Sequence, residues 1–479
     1  MKFWFKKRPT NTSTINSEGS DEQYFNELRK QEFSRLDRQR HVYLDYTGGN
    51  LYAQSLIDRH FEYLRESVYG NPHSTNPPSQ LSTQNVTEAR EKVLRFFNAT
   101  DDYYCIFTAN ASATLQIVGE CYPFCESSYF LLTADNHNSV NGIREYCQSK
   151  GGDYTYCPLH YEDLTIDEIS MTELLQKHAD CKHKLLAFPA QSNVSGVKHP
   201  LAWVEKAQSL GWDVLLDAAA FVPTSRLDLS VVKPDFVSVS FYKIFGYPTG
   251  IGCLLVRKSK FDLLKKPWFA GGTVTAVSVN YGGYFLASDH ERFENGTVNY
   301  LDIPAISRGL DFIEGIGMDR INRRVKHLTQ QLIQQMQALR HTNGTPLIRM
   351  FGPTDLNLKG GTIIFNVNDP SSHAFPFEEV EQQANAALIS LRTGCFCNPG
   401  IDEVNNCVST EDLAKYFSSR NTGNYHDMFE FLGKMRGAIR ISVGIPTTMG
   451  DIERFVQFLQ KFKDKKAAGI PELLRAAAA

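Results

Sequence analysis

Between about residues 103 and 257 the chain alternates short apolar runs, rich in β-branched and aromatic residues, with longer amphipathic stretches. That is the rhythm of successive βα units. The runs YYCIFT (103–108), SYFLLT (128–133), HKLLAFPA (183–190), WDVLLDAA (212–219), DFVSVSF (235–241) and IGCLLVR (251–257) predict strands. DEISMTELLQKHA and PLAWVEKAQSLG predict helices between them, the second stopped by a glycine able to take the left-handed position after a helix. The expected fold is α/β: a large domain with a mainly parallel sheet flanked by helices on both faces.

Beyond about residue 305 the texture changes to long helical stretches, then GTIIFNV (361–367) and GAIRISVG (437–444) as strands, then a closing helix. In that helix Ile452, Phe455, Val456, Leu459 and Phe462 recur at helical spacing, so one face packs on a core. The expected division is an N-terminal tail or surface helix over 1–37, a large domain over 38–305, a smaller α+β domain over 306–465 and a tail over 466–479. The final AAGIPELLRAAAA carries little pattern.

Composition narrows the class. A chain of 479 residues, 42% hydrophobic and 22% charged, has the balance of an ordinary globular protein, and no apolar run is long enough to cross a bilayer. Ten cysteines spread over that length are too dilute for a disulfide scaffold, and the start lacks the apolar segment of a signal peptide, so the cytosol is the expected compartment. A net charge of −3 without a basic stripe gives no footprint for nucleic acid. Small-molecule chemistry is the expectation that remains.

Open α/β sheets bind ligands at the carboxyl ends of their strands, and chemically capable groups fall there. Asp217 ends the run in LDAAA, and Lys243 follows the next strand in SVSFYKIFGYPTGIG. A lysine among Phe241, Tyr242, Ile244 and Phe245 has its ammonium disfavoured by desolvation, and a neutral amine is what bonds to an aldehyde. An acid and an amine on successive strand ends suit pyridoxal 5'-phosphate, whose ring nitrogen needs an anion. FTANASATLQ offers the phosphate a cradle: after a strand, the backbone of Ala111, Ser112 and Ala113 opens a helix, and the Ser112 and Ser240 hydroxyls add donors. His137 in DNHNSVNG supplies a flat ring to stack on the cofactor. Taken singly each has a plainer reading, as a cap, a snorkelling lysine or a loop histidine. Their order along the chain favours the cofactor.

Two further stretches bear on its use. LRTGCFCNPG places Cys395 and Cys397 in a glycine- and proline-bounded loop beside Arg392, and with no second pair at ligand spacing a zinc site is not expected. GAIRISVG puts Arg440 among strand formers, where a guanidinium needs a carboxylate partner such as an amino-acid substrate provides.

Together YLDYTGGNLY, GNPHS, DNHNSV, LLDAAAFV, SFYKIFGYPTGIG, RFENGT and LRTGCFCN resemble the pyridoxal-phosphate domain of molybdenum cofactor sulfurases, relatives of cysteine desulfurases in the class V aminotransferase group. The likeness spans about residues 38 to 462. It implies Lys243 as the Schiff-base lysine with Tyr242 beside it at the cofactor, Asp217 on the pyridine nitrogen, His137 on the ring, Asn193 near the phenolic oxygen, and Ser112 and Ser240 on the phosphate. It further implies a homodimer in which Thr297 reaches the partner subunit's phosphate, Arg440 on the substrate carboxylate and Cys397 as the persulfide-forming cysteine.

Three departures accompany it. Ala220 stands where desulfurases usually carry a polar residue. IDEVNN follows CNPG where another cysteine is common, and a counterpart of the β-rich acceptor domain of those sulfurases is not expected within these 479 residues, which opens the identity of the sulfur acceptor.

The expected activity is release of alanine from L-cysteine, with Cys397 taking the sulfur as a persulfide and Arg392 favouring its thiolate. A sulfur-accepting protein or cofactor is the expected partner. One alternative is a stand-alone C–S lyase or C–C bond-forming enzyme on an amino-acid-derived metabolite. Another is a non-catalytic binding protein of the same fold.

Overall fold

The computed structural model describes residues 17–178, 180–433 and 437–467. Most of the expected C-terminal tail, from residue 468, and residues 1–16 of the expected N-terminal segment lie outside the described residues.

After a two-residue strand, β1 (Val42–Tyr43), the chain builds a seven-stranded sheet from β2 (Tyr103–Thr108), β3 (Ser128–Thr133), β4 (Asp153–Cys157), β5 (His183–Pro189), β6 (Asp213–Asp217), β7 (Phe236–Ser240) and β8 (Gly252–Arg257). Their order across the sheet is β2-β8-β7-β6-β5-β3-β4. From β7 to β4 every pairing is parallel; β8 alone runs antiparallel to both its neighbours. Six of the seven strands coincide with the apolar runs. β4, DYTYC at the sheet's edge, buries only Cys157 fully and so carries no apolar run to mark it.

Every residue of β3 and of β7 is buried, as expected for strands covered on both faces. Val214 and Leu216 join one apolar cluster while Leu215 joins the other, because successive side chains of a strand point to opposite faces. Each such fully buried aliphatic side chain contributes roughly 1.5–3 kcal/mol. The helix Ala111–Cys121 follows β2 and packs on β7 and β8. Gly211, at φ +77°, lies just past the helix Ala202–Ser209, as its sequence implied.

A hairpin, β9 (Val274–Val277) and β10 (Tyr284–Leu286), leaves Val277, Tyr281 and Phe285 exposed. The smaller sheet comprises β11 (Ile348–Phe351) and β12 (Thr362–Val367); then, after β13 (Ile389–Ser390), which pairs in parallel with β1, come β14 (Arg392–Gly394) and β15 (Ala438–Ser442). Its order is β11-β12-β15-β14, all antiparallel.

The helix Ile303–Ile316, which spans the expected boundary at 305, packs on the helices Pro77–Phe96 and Phe241–Phe245. At the other end, the helix Ser17–Glu32 is no tail resting on the surface: Phe25 and, just after the helix, Phe33 are each 1% exposed, and buried Arg29 donates to both Asp37 and Asp451. Asp451 lies in the closing helix Met449–Gln460, so the N-terminal helix is fastened to that helix. None of the described helices is long and apolar enough to cross a membrane.

Candidate active site

The carboxyl ends of β5, β6 and β7 and the start of the helix Ala111–Cys121 enclose a cavity of about 330 Å³. Ala111, Ser112, His137, Asn193, Asp217, Ser240, Tyr242 and Lys243 all line it. These are strand-end and loop positions from five separate stretches of sequence, which the parallel sheet delivers to one edge.

Lys243 sits in the short helix Phe241–Phe245, where Phe241, Ile244 and Phe245 are buried and anchor the turn, leaving Tyr242 and Lys243 half-buried toward the cavity. Gly246 ends the helix at φ +83°, and a Cβ there would stand 2.3 Å from the Tyr52 nitrogen, so only glycine lets the chain turn away so closely against that segment. Burial pushes the Lys243 amine below the ordinary lysine range. The Asp217 carboxylate opposes that, the Arg440 and Arg392 guanidinia add to it, and Cys397 is close enough to act on the same charge.

Asp217 ends β6 and accepts a hydrogen bond from the Ala219 amide at 3.1 Å. His137 accepts from the Ser139 amide through Nδ1 at 3.1 Å, so the neutral ring carries its proton on Nε2. Its burial lowers its pKa, with Asp217 acting against the shift and Lys243 and Arg440 with it.

The cradle departs from expectation in one respect. The Ala113 amide is taken by Asn110 Oδ1 at 3.0 Å, a helix cap, so Ala113 has no free donor for an anion and lines a neighbouring cavity instead. Ser112 Oγ meets Ser139 Oγ at 2.6 Å, a hydroxyl partner whose only sequence signal was its place in HNSV. Gln191 also lines the main cavity and was not singled out, although it stands two residues before Asn193. Its Oε1 and Ser240 Oγ are buried oxygens without a partner of ordinary hydrogen-bond geometry among the described residues. With a half-buried amine, a carboxylate one strand away, a flat imidazole and an unsatisfied hydroxyl at Ser240 where a helix starts, the residues present fit pyridoxal phosphate.

Thr297 does not join this cavity within one chain. It is exposed and lines a second one, of about 480 Å³, that shares Gly250 with the first.

Arg392 on β14 and Arg440 on β15 both meet Asp45: Arg392 through Nε and Nη2 at 3.0 and 2.7 Å, Arg440 through Nη2 at 2.7 Å. Arg440 is buried, gives Nη1 to the Asn193 carbonyl at 2.8 Å, and has no partner at Nε. Asp45 was not among the residues expected here, because nothing in YLDYTGG ties it to arginines more than 340 positions away. Its carboxylate also compensates Arg392, whose positive charge was expected to favour the Cys397 thiolate.

Cys395 and Cys397 follow β14. Cys397 is exposed and is not among the cavity-wall residues; Cys395 is half-buried, and burial pushes its thiol up. Phe396 and Cys397 both take left-handed backbone, at φ +58° and +56°.

The architecture and the strand-end cavity define an open α/β protein with a cavity at the carboxyl ends of its parallel strands, where such sheets bind ligands. The family model for class-V aminotransferases matches residues 42–455, and the chain belongs to that family. It is 37% identical over 456 residues to the molybdenum cofactor sulfurase of Homo sapiens, covering 90% of this chain and 51% of that one. To the molybdenum cofactor sulfurase of Solanum lycopersicum it is 37% identical over 468 residues, with 91% and 56% covered. The chain thus spans about half the length of these curated relatives. Among solved structures, the cysteine desulfurase of Thermococcus onnurineus NA1 superimposes with a TM-score of 0.75 at 24% identity, over 91% of this chain and 97% of that one. The cysteine desulfurase CsdA of Escherichia coli gives 0.72 at 20% identity, over 91% and 98%. These two likenesses establish the fold.

Proposed function

We propose that this chain binds pyridoxal phosphate at Lys243 and catalyses desulfuration of L-cysteine, Cys397 receiving the sulfur. The observation that carries the reading is one cavity shared by Lys243, Asp217 and His137, with Cys397 in electrostatic reach of the lysine. The curated relatives named molybdenum cofactor sulfurase support it.

Bound pyridoxal phosphate supplies a ring that takes up charge from the substrate's α-carbon. Asp217 would hold a proton on the ring nitrogen, and His137, Asn193 and Tyr242, which line the same cavity, would flank the ring. Ser112, Ser240 and the Ala111 end of the helix receive the phosphate. Lys243, whose amine is held below the ordinary lysine range by desolvation, would accept the α-proton. Arg440 binds the substrate carboxylate, an assignment its unpartnered Nε supports. The Cys397 thiolate then forms an S–S bond to the substrate sulfur as the substrate's Cβ–S bond breaks. The electron pair of that bond stays with carbon, which takes a proton, so that cysteine and thiol become alanine and persulfide.

The active unit is proposed to be a homodimer, with Thr297 turned to the partner's phosphate. Its exposed position and the apolar residues left open on β9 and β10 support this. The sulfur then passes to an acceptor protein or cofactor, and we assign the reaction to the cytosol, where thiols stay reduced.

The test is incubation of the purified protein, loaded with pyridoxal phosphate, with L-cysteine. Alanine and protein-bound persulfide are expected in equal amounts, both lost in Lys243→Ala, and persulfide lost in Cys397→Ala. Pyruvate and sulfide in place of alanine, undiminished in Cys397→Ala, overturn the persulfide route in favour of a C–S lyase.

A further inference from the structure

The loop that presents Cys397 is held by a residue the reaction itself does not call for. Asn398 is fully buried, and its Nδ2 donates twice, to the Asp135 carbonyl at 2.6 Å and to Asn193 Oδ1 at 3.0 Å. Asn193 returns the contact, giving its Nδ2 to the Phe396 carbonyl at 3.0 Å. On the other side of the loop the Asn138 amide donates to the Cys397 carbonyl at 2.7 Å. Three carbonyl or amide groups flanking Cys397 are therefore fastened to two separate loops at the sheet edge.

The anchors are themselves rigid. The Asp135 carboxylate is paired with buried His199 at 2.7 Å, and the Asn193 carbonyl accepts from Arg440. The Arg440 guanidinium also lies 5.0 Å from the Phe396 ring centre. At Gly400 a Cβ would stand 1.9 Å from the Ala134 carbonyl oxygen, so the loop and the helix after it are pressed against the end of β3. Consecutive left-handed residues without glycine, as at Phe396 and Cys397, persist only where their surroundings hold them.

We propose that Asn398 is a positioning residue for Cys397, locking its loop to Asp135 and Asn193 so that the nucleophile and Arg440 are carried by one rigid unit. The proposal rests on the desulfurase reading for its kinetic consequence. Its structural half stands apart from that reading.

Asn398 also caps the helix Pro399–Asn405, its Oδ1 facing the Ile401 amide at 3.5 Å. Asn398→Asp keeps an oxygen for the cap and removes both donated bonds, whereas Asn398→Ala removes everything. In the holoenzyme with L-cysteine, both variants are expected to lower kcat about a hundredfold, the scale of a loosened reacting group. KM is expected to stay within about twofold, because Arg440, the substrate's proposed ligand, keeps its bond to Asp45 in both variants. Without substrate, iodoacetamide is expected to alkylate Cys397 faster in both variants, and the Asn138 amide, slow to exchange in the wild type, is expected to exchange quickly.

Asn398→Asp matching the wild type while Asn398→Ala is impaired reduces Asn398 to a helix cap and overturns the proposal. So does an Asn138 amide that exchanges at open-loop rates in the wild type, a measurement needing no variant to fold. If the wild type forms no alanine from L-cysteine, the desulfurase reading fails, and alkylation and exchange still decide the clamp.

Discussion

Arg392 and Arg440 stand directly opposite one another in the antiparallel pairing of β14 with β15, and the single carboxylate of Asp45 holds both. Like charges opposed across two strands repel, so the carboxylate between them is what lets the pair exist. Removing it leaves buried Arg440 without its anion. Asp45→Ala is expected to cost about 3 kcal/mol, nearly all from the Arg440 half because Arg392 is half exposed. Urea unfolding measures this, and added formate is expected to restore part of it; a midpoint unmoved by the substitution contradicts the bridge.

Lys359 is 2% exposed, and among the described residues its amine meets only the Ser195 carbonyl, at 2.7 Å. Burial lowers its pKa from 10.5 to about 7. Between those values the unfolded chain binds a proton that the folded chain does not, so this residue makes stability rise with pH, by at most about 1.4 kcal/mol per unit. Below pH 7 both states are protonated and its contribution is flat at its least favourable. Lys359→Met is expected to be more stable than wild type at neutral pH, the difference shrinking toward pH 10. Parallel stability-against-pH curves for the two proteins refute the assignment.

Phe25→Ala is expected to destabilise by about 3–5 kcal/mol, as for a buried core aromatic. A thermal or urea midpoint within error of the wild type returns the N-terminal helix to the surface.

Of the two cysteines after β14, Cys397 is exposed and Cys395 has its thiol raised by burial. Iodoacetamide at neutral pH is expected to modify Cys397 first, by peptide mass spectrometry. Preferential labelling of Cys395 reverses the roles given to them.

Burial makes the Lys243 amine neutral at lower pH than an ordinary lysine, whose pKa is 10.5, and Asp217 opposes that shift. Capture of added pyridoxal phosphate by the cofactor-free protein is therefore expected to rise with pH and level off below 10.5. Asp217→Asn, lacking the opposing charge, is expected to move that midpoint to lower pH. A midpoint moving upward instead shows that Asp217 does not act on the lysine's charge.

The strands β2, β3, β5, β6, β7 and β8 were readable because each is a run of neighbouring residues buried on both faces, and local texture records that. β4 and β14 were not: β4 is a half-buried edge, and β14 is three residues of mixed polarity. The helix Ser17–Glu32 looked like a surface segment because its mean hydropathy is low, yet the few apolar side chains around Phe25 and Phe33 all turn inward.

Order along the chain was enough to bring out Asp217, Lys243, His137 and Ser112, since each follows a strand whose carboxyl end must face the ligand edge of a parallel sheet. Only the folded chain decided that Asp45 joins Arg392 to Arg440, that Asn110 occupies the Ala113 amide, and that Asn398 fastens the Cys397 loop. Periodicity and spacing encode what neighbours in sequence share. A hydrogen bond between residues hundreds of positions apart leaves no local pattern, because its geometry arises from how two sheets pack.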